Sequence, residues 1–242
     1  MKDVLIIIPT YNEIENIENI IISTFQLYPD ISILIVDDNS PDLTYKKVQE
    51  LELKFSKQLF LLKRLKKEGL GTAYVEGFKW ALKKKFNYVF EMDADLSHNP
   101  KDIKRILEPM LINDYDMSIG SRYIKGINVV NWPLSRIILS YTASIYVRII
   151  TKMKIQDSTS GYVCYKKTVL ESINLDTIKF SGYAFQIEMK YKAYLKNFKI
   201  IEVPIIFTDR KYGVSKLNGS IISEAIIGVL SMRIKNIFNI KF

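Results

Sequence analysis

The stretch FNYVFEMDADLSHNP, residues 86–100, runs from an aromatic, β-prone segment directly into Asp93-Ala94-Asp95 and then into His98, the only histidine of the chain. Two carboxylates separated by one residue repel each other, so this triplet is either a solvated turn or the binding site of a shared cation. The same spacing recurs at Asp114-Tyr115-Asp116, where we predict an ordinary turn before the next strand. The triplet alone does not distinguish a solvated turn from a cation site, so the neighbouring sequence has to be considered.

Short β-branched runs alternate with amphipathic segments through the first half of the chain. The runs cover residues 4–8, 31–36, 59–62, 88–92 and 117–120. Repeated strand–helix–strand order predicts an α/β fold, with a Rossmann-like, mostly parallel sheet and helices on both of its faces.

Helix-start signals lie between the predicted strands. Asn12 is a candidate cap for a helix that would keep four isoleucines on one face (Ile14, Ile17, Ile20 and Ile21). Ser40-Pro41 and Asn99-Pro100 each combine a capping residue with a first-turn proline, which predicts two further helices that begin there.

The unusual polar residues follow the predicted strands directly. They lie in PTYNE (9–13), DDNSP (37–41), DADLSHNP (93–100) and GSRY (120–123). Ligands of parallel sheets bind at the carboxyl ends of the strands, so we expect these segments to meet at one edge. The first turn lacks the Gly-x-Gly-x-x-Gly pattern of dinucleotide-binding proteins, and the chain has no Gly-Lys-Ser/Thr phosphate loop.

Length and composition favour one large folded domain with an extension. The chain has 242 residues, of which 48% are hydrophobic, and its single cysteine, Cys164, excludes a disulfide framework or a cysteine-rich zinc site. The apolar start at residues 4–8 is shorter than the roughly 7–15 residues of a signal-peptide core. The charge-free runs 19–29 and 137–147 fall short of the ~20 apolar residues of a membrane span. We therefore expect a cytoplasmic protein.

Positive charge is concentrated in one part of the chain. The formal charge is +9, and residues 122–156 contain basic residues but no acid: Arg122, Lys125, Arg136, Arg148, Lys152 and Lys154. Such a segment favours phosphate groups, an anionic membrane or nucleic acid, or is simply a solvated basic face. The mixed apolar and basic segments 133–152 and 217–238 predict amphipathic helices, which either pack within the protein or lie at a membrane surface.

Nine motifs in a fixed order give the chain a family resemblance over nearly its whole length. They are IIPTYNE, VDDNSPD, KEGLGTAY, MDADLSHNP, GSRY, NWPLSR, DSTSGY, EVPI and DRKYGVSKL. In this order they resemble the dolichol-phosphate or polyprenol-phosphate mannose synthases of glycosyltransferase family 2. The resemblance implies one GT-A domain over residues 1–242, with a nucleotide-sugar-binding half (1–122) and an acceptor-side half (123–242).

The resemblance also implies a reaction and its partners. The enzyme would be a metal-dependent, inverting glycosyltransferase that uses Mg²⁺ or Mn²⁺ and moves mannose from GDP-mannose to a polyprenyl or dolichyl phosphate. Nucleic acid is not an expected partner, since no aromatic-basic RNA-binding motif is present. Because the chain ends at Phe242 without a hydrophobic anchor, we expect it on the cytoplasmic membrane face, either peripherally or through a membrane-anchoring partner.

Site residues carried over from the family motifs form two sets. The donor set implied by the resemblance is Pro9, Tyr11, Glu13, Val36, Asp38, Asp93, Ala94, Asp95, Arg122, Arg210 and Lys216. The acceptor-phosphate set is Arg122, Arg136 and Ser140, and the residues implied in catalysis are Asp93, Asp95 and Arg122. Arginine suits both tasks because its planar fork makes two-point contacts with phosphate.

The residue types at 93–98 fit a metal independently of the resemblance. Alternate residues of a strand point to the same side, so Asp93 and Asp95 can approach one hard cation, and Ser97 is a candidate third ligand. His98 is either a further ligand or base, or a turn residue before the helix, and we favour the turn. A phosphate monoester acceptor is already an anion near neutral pH and requires no protein base.

One departure from the family pattern lies at residues 160–163. Many members read SGFR where this chain reads Ser160-Gly161-Tyr162-Val163, so the role of that arginine is absent or is supplied elsewhere.

The alternative functions are transfer from another donor, such as UDP-glucose, and a non-catalytic membrane- or nucleic-acid-binding module.

Overall fold

The five strands predicted in the first half are present in the computed structural model, which describes residues 1–210 and 219–238 apart from the side chains of Tyr183 and residues 219–224. They are β1 (Val4–Thr10), β2 (Ser32–Asp37), β3 (Leu59–Lys63), β4 (Tyr88–Glu91) and β5 (Met117–Ser121). Asp114 and Asp116 lie in a turn before β5 and contact Lys166, as expected for an ordinary turn.

The strands form a mostly parallel sheet, as predicted. Two short strands, β6 (Val129–Val130) and β7 (Val163–Lys166), and then β8 (Ile200–Pro204) and β9 (Phe207–Thr208), follow in the second half. The main sheet has seven strands in the order β3-β2-β1-β4-β7-β5-β8, and β7 alone runs antiparallel to its neighbours. Strands β6 and β9 pair separately. Strands from both halves of the chain therefore share one sheet.

Helices cover both faces of the sheet. They are α1 (Ile14–Leu27), α2 (Thr44–Lys54), α3 (Leu70–Lys84), α4 (Asp102–Ile112), α5 (Leu134–Thr151), α6 (Lys167–Ser172), α7 (Tyr183–Leu195) and α8 (Gly219–Ile237). Alternate residues of β1 enter different buried clusters: Leu5 and Ile7 lie in one, and Ile6 and Ile8 in the other. This alternation follows from the pleat of the strand, and it gives the sheet a core on each side.

The helix starts differ from the predicted ones. Asn12 has a left-handed backbone with φ of 60°, and α1 begins at Ile14 without a cap from Asn12. The loop after β2 satisfies the exposed amides instead: the N–H groups of residues 12, 13 and 14 donate to Ser40, Thr44 and Asp42. Ile14 is 39% exposed, so the buried face of α1 uses only the other three predicted isoleucines.

The two proline signals precede their helices by a few residues. Helix α2 begins at Thr44, beyond Ser40-Pro41, because the Asp42 side chain accepts the Thr44 N–H and sets the start there. Helix α4 begins at Asp102, beyond Asn99-Pro100, and the Asn99 side chain accepts the Lys101 N–H in the turn before it. Both signals therefore mark turns that lead into helices.

Both predicted amphipathic segments contain helices that have one packed and one exposed apolar face. Helix α5 buries Val147 and Thr151 and exposes Leu134 and Ile149. Helix α8 buries Val229 and Met232 and exposes a stripe at helical spacing (Ile226, Ile227, Leu230, Ile234 and Ile237). The Tyr146 hydroxyl of α5 donates to the Ile226 carbonyl of α8 at 3.0 Å. Among the described residues, no helix combines the length and apolar character that a membrane crossing requires.

Candidate active site

The loops after β1 and β2 are joined at the carboxyl edge of the sheet. Pro9 lies opposite Val36 in the parallel register, so these two predicted donor residues are neighbours. The Thr10 hydroxyl donates to Asp37 at 2.7 Å, and the Asp38 N–H donates to the Thr10 carbonyl at 3.0 Å. The structure thus brings the first two predicted polar loops together.

Asp38 is held by an arginine that the sequence analysis missed. Arg64 Nη1 lies 2.8 Å from Asp38 Oδ1, and both side chains are nearly buried. Burial raises the pKa of Asp38, and Arg64 opposes that rise. Arg64 also contacts Glu68 and Glu76, each at 3.0 Å. Its position immediately after β3 could have indicated it, because the loops after the other four strands of the first half all contain predicted polar segments.

Tyr11 and Glu13 lie beside this network. The ammonium group of Lys67, from the KEGLG segment, is 4.2 Å from the centre of the Tyr11 ring. Glu13 accepts a hydrogen bond from the Asn16 side chain at 3.0 Å. Gly69 in the same segment has φ of 104°, and a Cβ there would lie 2.6 Å from the Ser181 Cβ. Only glycine suits this close approach, which fixes the loop next to the donor residues.

The acid pair lies in a turn rather than on a strand. Strand β4 ends at Glu91, and Leu96 in the following turn has φ of 63°. The argument from strand alternation therefore does not apply to Asp93 and Asp95, although both residues are at the predicted edge. Asp95 is 5% exposed and accepts the Ser97 N–H at 3.1 Å. The turn geometry itself thus fixes one carboxylate.

His98 supports the turn from within the protein. Its Nδ1 atom accepts the Asp93 N–H at 3.0 Å, and its ring stacks on Tyr162 with 4.7 Å between ring centres. Burial lowers the pKa of His98 to about 4, so the imidazole is neutral near pH 7 and its approach to the Asp93 carboxylate is not an ion pair. These contacts favour the turn interpretation over a catalytic base.

The donor atoms around the acid pair fit a hard divalent cation. Arg210 Nη2 lies 3.0 Å from Asp95 Oδ2, so a positive charge already neighbours this carboxylate. The buried Ser97 hydroxyl has no hydrogen-bond partner among the described residues. Within residues 1–210 and 219–238, no three His, Cys, Asp or Glu side chains form a metal-binding group. Two carboxylates and a hydroxyl would therefore need ligand oxygens, such as those of a diphosphate, to complete a shell.

Arg122 is held tightly on the other side of the turn. Its backbone N–H and Nε donate to Asp157 Oδ2 at 2.9 and 2.7 Å, and Nη2 donates to Oδ1 at 2.6 Å. Although burial alone would raise it, Arg122 keeps the pKa of Asp157 below its ordinary value. Two nitrogens of the guanidinium group that we predicted to contact phosphate are thus bonded to Asp157, which fixes the position of the group.

The predicted acceptor residues are close together around aromatic rings. The Arg136 guanidinium lies 4.0 Å from the Trp132 ring centre, and that of Arg122 lies 5.4 Å from the same ring. The Tyr123 hydroxyl donates to Ser140 Oγ at 2.8 Å. The buried Trp132 indole N–H has no hydrogen-bond partner in the described part of the chain. Trp132 was not predicted as a site residue, although it lies in the NWPLSR motif.

Two adjacent residues connect the donor and acceptor sides. Asp209 Oδ1 lies 2.8 Å from Arg136 Nη1, and the next residue, Arg210, pairs with Asp95. The Arg210 Nε atom is buried and has no hydrogen-bond partner among the described residues. Lys216, the remaining predicted donor residue, lies outside the described residues. The other predicted site residues lie in or after β1, β2, β4 and β5, in α5, and directly after β9.

Comparison with known sequences gives the family. Residues 5–174 match the family described as Glycosyl transferase family 2. The chain belongs to this family. A polyprenol monophosphomannose synthase from Mycolicibacterium smegmatis is 43% identical over 231 residues, which cover 96% of this chain and 87% of the relative. This family membership confirms the resemblance inferred from the nine motifs.

Two further relatives carry similar names. An undecaprenyl-phosphate mannosyltransferase from Micrococcus luteus is 40% identical and covers 93% of this chain and 92% of its own length. A dolichol-phosphate mannosyltransferase from Pyrococcus furiosus is 39% identical over 91% of this chain. The match spans 61% of the Pyrococcus protein.

Solved structures confirm the predicted GT-A fold. Glucosyl-3-phosphoglycerate synthase from Mycobacterium tuberculosis, in complex with phosphoglyceric acid, superposes with a TM-score of 0.69 at 15% identity, covering 94% of this chain and 79% of that chain. The same enzyme with Mn²⁺, uridine diphosphate and glucosyl-3-phosphoglycerate gives a TM-score of 0.68 at 16% identity, covering 94% and 78%. At this level of identity the likeness concerns the fold alone.

Proposed function

We propose that this chain transfers mannose from GDP-mannose to a polyprenyl phosphate and releases GDP. The observation that carries the proposal is the bridge formed by Asp209 and Arg210. These neighbours contact Arg136 on the acceptor side and Asp95 in the acid pair, at 2.8 and 3.0 Å. A single short segment thus spans the two sets of residues between which a sugar would have to move.

The donor occupies the edge formed by the loops after β1, β2 and β4. Tyr11, Glu13 and Asp38 surround the nucleoside, while Pro9 and Val36 lie in the sheet beneath it. Asp93, Ala94 and Asp95 line the diphosphate, and Arg210 and Lys216 cover it. Arg210 Nε and Ser97 Oγ, which have no hydrogen-bond partner within residues 1–210 and 219–238, supply polar atoms for this ligand. Asp93, Asp95 and Ser97 would hold a Mg²⁺ or Mn²⁺ ion, which would supply Lewis-acid stabilisation of the leaving diphosphate when bound.

The acceptor phosphate lies against Arg122, Arg136 and Ser140, with the Trp132 indole N–H as a further donor. A phosphate monoester carries a charge of about −1.5 to −2 at pH 7, so its oxygen needs positioning and no base. That oxygen forms a bond to the anomeric carbon while the carbon–oxygen bond to GDP breaks on the opposite side. One such displacement inverts the anomeric centre, which makes the product a β-mannosyl phosphate.

The lipid part of the acceptor requires a membrane surface. Helices α5 and α8 contact each other and expose apolar side chains, and the exposed Lys152 and Lys154 follow α5 directly. This arrangement supports peripheral contact with the cytoplasmic membrane face, directly or together with a membrane-anchoring partner.

A donor competition assay tests the proposal. The purified protein would be given undecaprenyl phosphate in vesicles with radiolabelled GDP-mannose and a tenfold excess of either unlabelled GDP-mannose or unlabelled UDP-glucose. We expect unlabelled GDP-mannose to suppress labelling of the lipid and UDP-glucose to leave it almost unchanged. Suppression of lipid labelling by UDP-glucose would favour the alternative donor. Absence of transfer from either donor, with vesicle binding intact, would favour a non-catalytic membrane module.

A further inference from the structure

A buried polar cluster lies directly behind the acid pair and is not used by the proposed reaction. Glu91 is the last residue of β4, two positions before Asp93, while Gln186 and Lys190 lie one turn apart on α7. Glu91 and Lys190 are fully buried, and Gln186 is 2% exposed. Two buried charges at this depth are costly in free energy unless they compensate each other and are hydrogen-bonded.

Lys190 and Glu91 are connected through the amide of Gln186. Lys190 Nζ donates to Gln186 Oε1 at 3.1 Å, and Gln186 Nε2 donates to Glu91 Oε2 at 2.5 Å. The other Glu91 oxygen accepts the Tyr165 hydroxyl at 3.0 Å. Burial raises the pKa of Glu91 to about 7, although Lys190 and the hydrogen bonds from Gln186 and Tyr165 oppose that rise. Lys190 therefore supplies the positive charge of this cluster.

Lys190 also holds the segment that carries the partner of Arg122. Its Nζ donates to the Ser160 carbonyl at 2.7 Å, and the Ser160 hydroxyl donates to the Gly120 carbonyl at 2.6 Å. Residues 157–161 begin with Asp157, which binds Arg122, and end with Gly161. A Cβ at Gly161 would lie 3.7 Å from Gln186 Nε2 and 3.9 Å from Asp93 Oδ1. This segment thus lies between Lys190 and two groups of the candidate active site.

The strand register shows where else a positive charge could reach Glu91. Glu91 lies opposite Val163 in the antiparallel β4–β7 pair, so both side chains are on the same face of the sheet. Val163 is the position where the motif comparison expected an arginine, and it is fully buried. A cation at position 163 would face Glu91 from the neighbouring strand. In this chain the cation comes from α7 instead.

We propose that Lys190 is a positioning residue that compensates Glu91 and holds residues 157–161 through Ser160, and thereby keeps the acid pair and Arg122 in place for the divalent cation and the phosphates. The inference rests on the proposed function only for its activity measurement. Its other measurements, cation binding and unfolding, do not require sugar transfer, so the two proposals can fail separately.

The test compares Lys190→Met with a matched variant on the same helix. Lys192 is also nearly buried and pairs with Glu188 at 3.1 Å, so Lys192→Met also removes a buried positive charge that compensates a glutamate. Each variant would be measured for Mn²⁺ affinity in the presence of GDP by electron paramagnetic resonance, and for unfolding in urea. Because residues behind a metal site typically contribute about 10- to 100-fold to metal affinity, we expect a loss of at least ~10-fold in Lys190→Met. Lys192→Met should retain the affinity of the unaltered protein.

A charge-relocation variant provides the rescue. In Val163→Arg/Lys190→Met the cation faces Glu91 from β7, and we expect it to be more stable than either single variant and to recover part of the Mn²⁺ affinity and of kcat. Should Lys190→Met fail to fold, Glu91→Gln/Lys190→Met removes both charges and leaves the hydrogen bonds of Lys190 to Ser160 and Gln186 missing. This variant should fold and still bind Mn²⁺ weakly.

Three results would overturn the proposal. The first is an equal effect of Lys190→Met and Lys192→Met on Mn²⁺ affinity, which would show that Lys190 contributes only to the general stability of the fold. The second is a double variant with arginine at 163 that is no better than Lys190→Met. The third is full Mn²⁺ affinity in Glu91→Gln/Lys190→Met.

Discussion

Asp95 has two neighbours that compete with any cation for its oxygens. The Ser97 N–H donates to Oδ1, and Arg210 Nη2 approaches Oδ2 at 3.0 Å. A divalent ion bound at Asp95 must therefore displace the Arg210 contact or share the carboxylate with it. In either case, the cation weakens the contact between Asp95 and the arginine that covers the donor in the proposed complex.

We predict that Arg210→Gln raises the affinity for Mn²⁺ in the absence of nucleotide, because the variant removes a competing positive charge from Asp95. The change should be several-fold, and titration with Mn²⁺ followed by paramagnetic resonance measures it. Arg105→Gln on α4, which loses a contact with Asp102 instead, is the control and should leave the affinity unchanged. An Arg210→Gln variant that bound Mn²⁺ no better than the unaltered chain would show that the contact does not compete.

We predict that Asp93→Asn and Asp95→Asn each lower kcat by at least ~10²-fold, the scale of losing one major electrostatic contribution in a transition state. Excess EDTA should reproduce the loss in the unaltered protein. Asp176→Asn, which changes an exposed aspartate paired with Lys79, serves as the control. Full activity of the unaltered protein in EDTA would contradict the role assigned to the metal.

At the scale of helices and strands, α5 carries two of the residues that we propose contact the acceptor, Arg136 and Ser140. Arg136 lies in its first turn, where it stacks on Trp132 and pairs with Asp209, while Arg148 near its end contacts Gln156. We predict that Arg136→Ala raises KM for the lipid phosphate about tenfold or more and leaves the affinity for GDP-mannose intact.

Two measurements separate an effect on the lipid phosphate from an effect on GDP-mannose. Steady-state rates at varied acceptor give KM, and calorimetry with GDP-mannose gives donor affinity. Arg148→Ala on the same helix should leave both values near those of the unaltered protein. An equal loss of donor affinity in Arg136→Ala would move this residue to the donor side.

The sequence predicted the elements well where a regular pattern extends over several residues. The five β-branched runs and the two amphipathic segments were all recovered, because burial between two helix layers demands apolar residues at these positions. Helix starts were predicted less well. The first amides of α1 are satisfied by Ser40, Asp42 and Thr44 from another loop, and local propensity does not contain that information.

Candidate site residues could be named from the sequence where they lie in a recognisable motif, and not where they act through a distant partner. Asp93, Arg136 and Arg210 were named from their motifs. Arg64 and Lys190 were missed because their importance depends on buried carboxylates, Asp38 and Glu91, that are far from them in sequence. Such pairings appear only when the chain is folded, since the sequence does not show which buried charges meet.

At the scale of the whole molecule, α5 and α8 expose the apolar faces that we propose contact the membrane. We predict that Ile149→Glu combined with Ile234→Glu reduces association with anionic vesicles several-fold, because it places charge on faces that would contact lipid. Vesicle flotation measures the association. Leu53→Glu on α2, which is 84% exposed but lies elsewhere, is the control and should bind normally. Unchanged flotation of the double variant would exclude these faces from membrane contact.

The anomeric configuration of the product tests the central claim most directly. The unaltered protein, given GDP-mannose and a polyprenyl phosphate, should form a mannosyl phosphate whose C1–H1 coupling in NMR identifies the β-anomer, with GDP released in equal amount. This result is expected from a single in-line displacement by the acceptor phosphate held at Arg136. An α-linked product, or the absence of mannosyl transfer from GDP-mannose, would contradict the account.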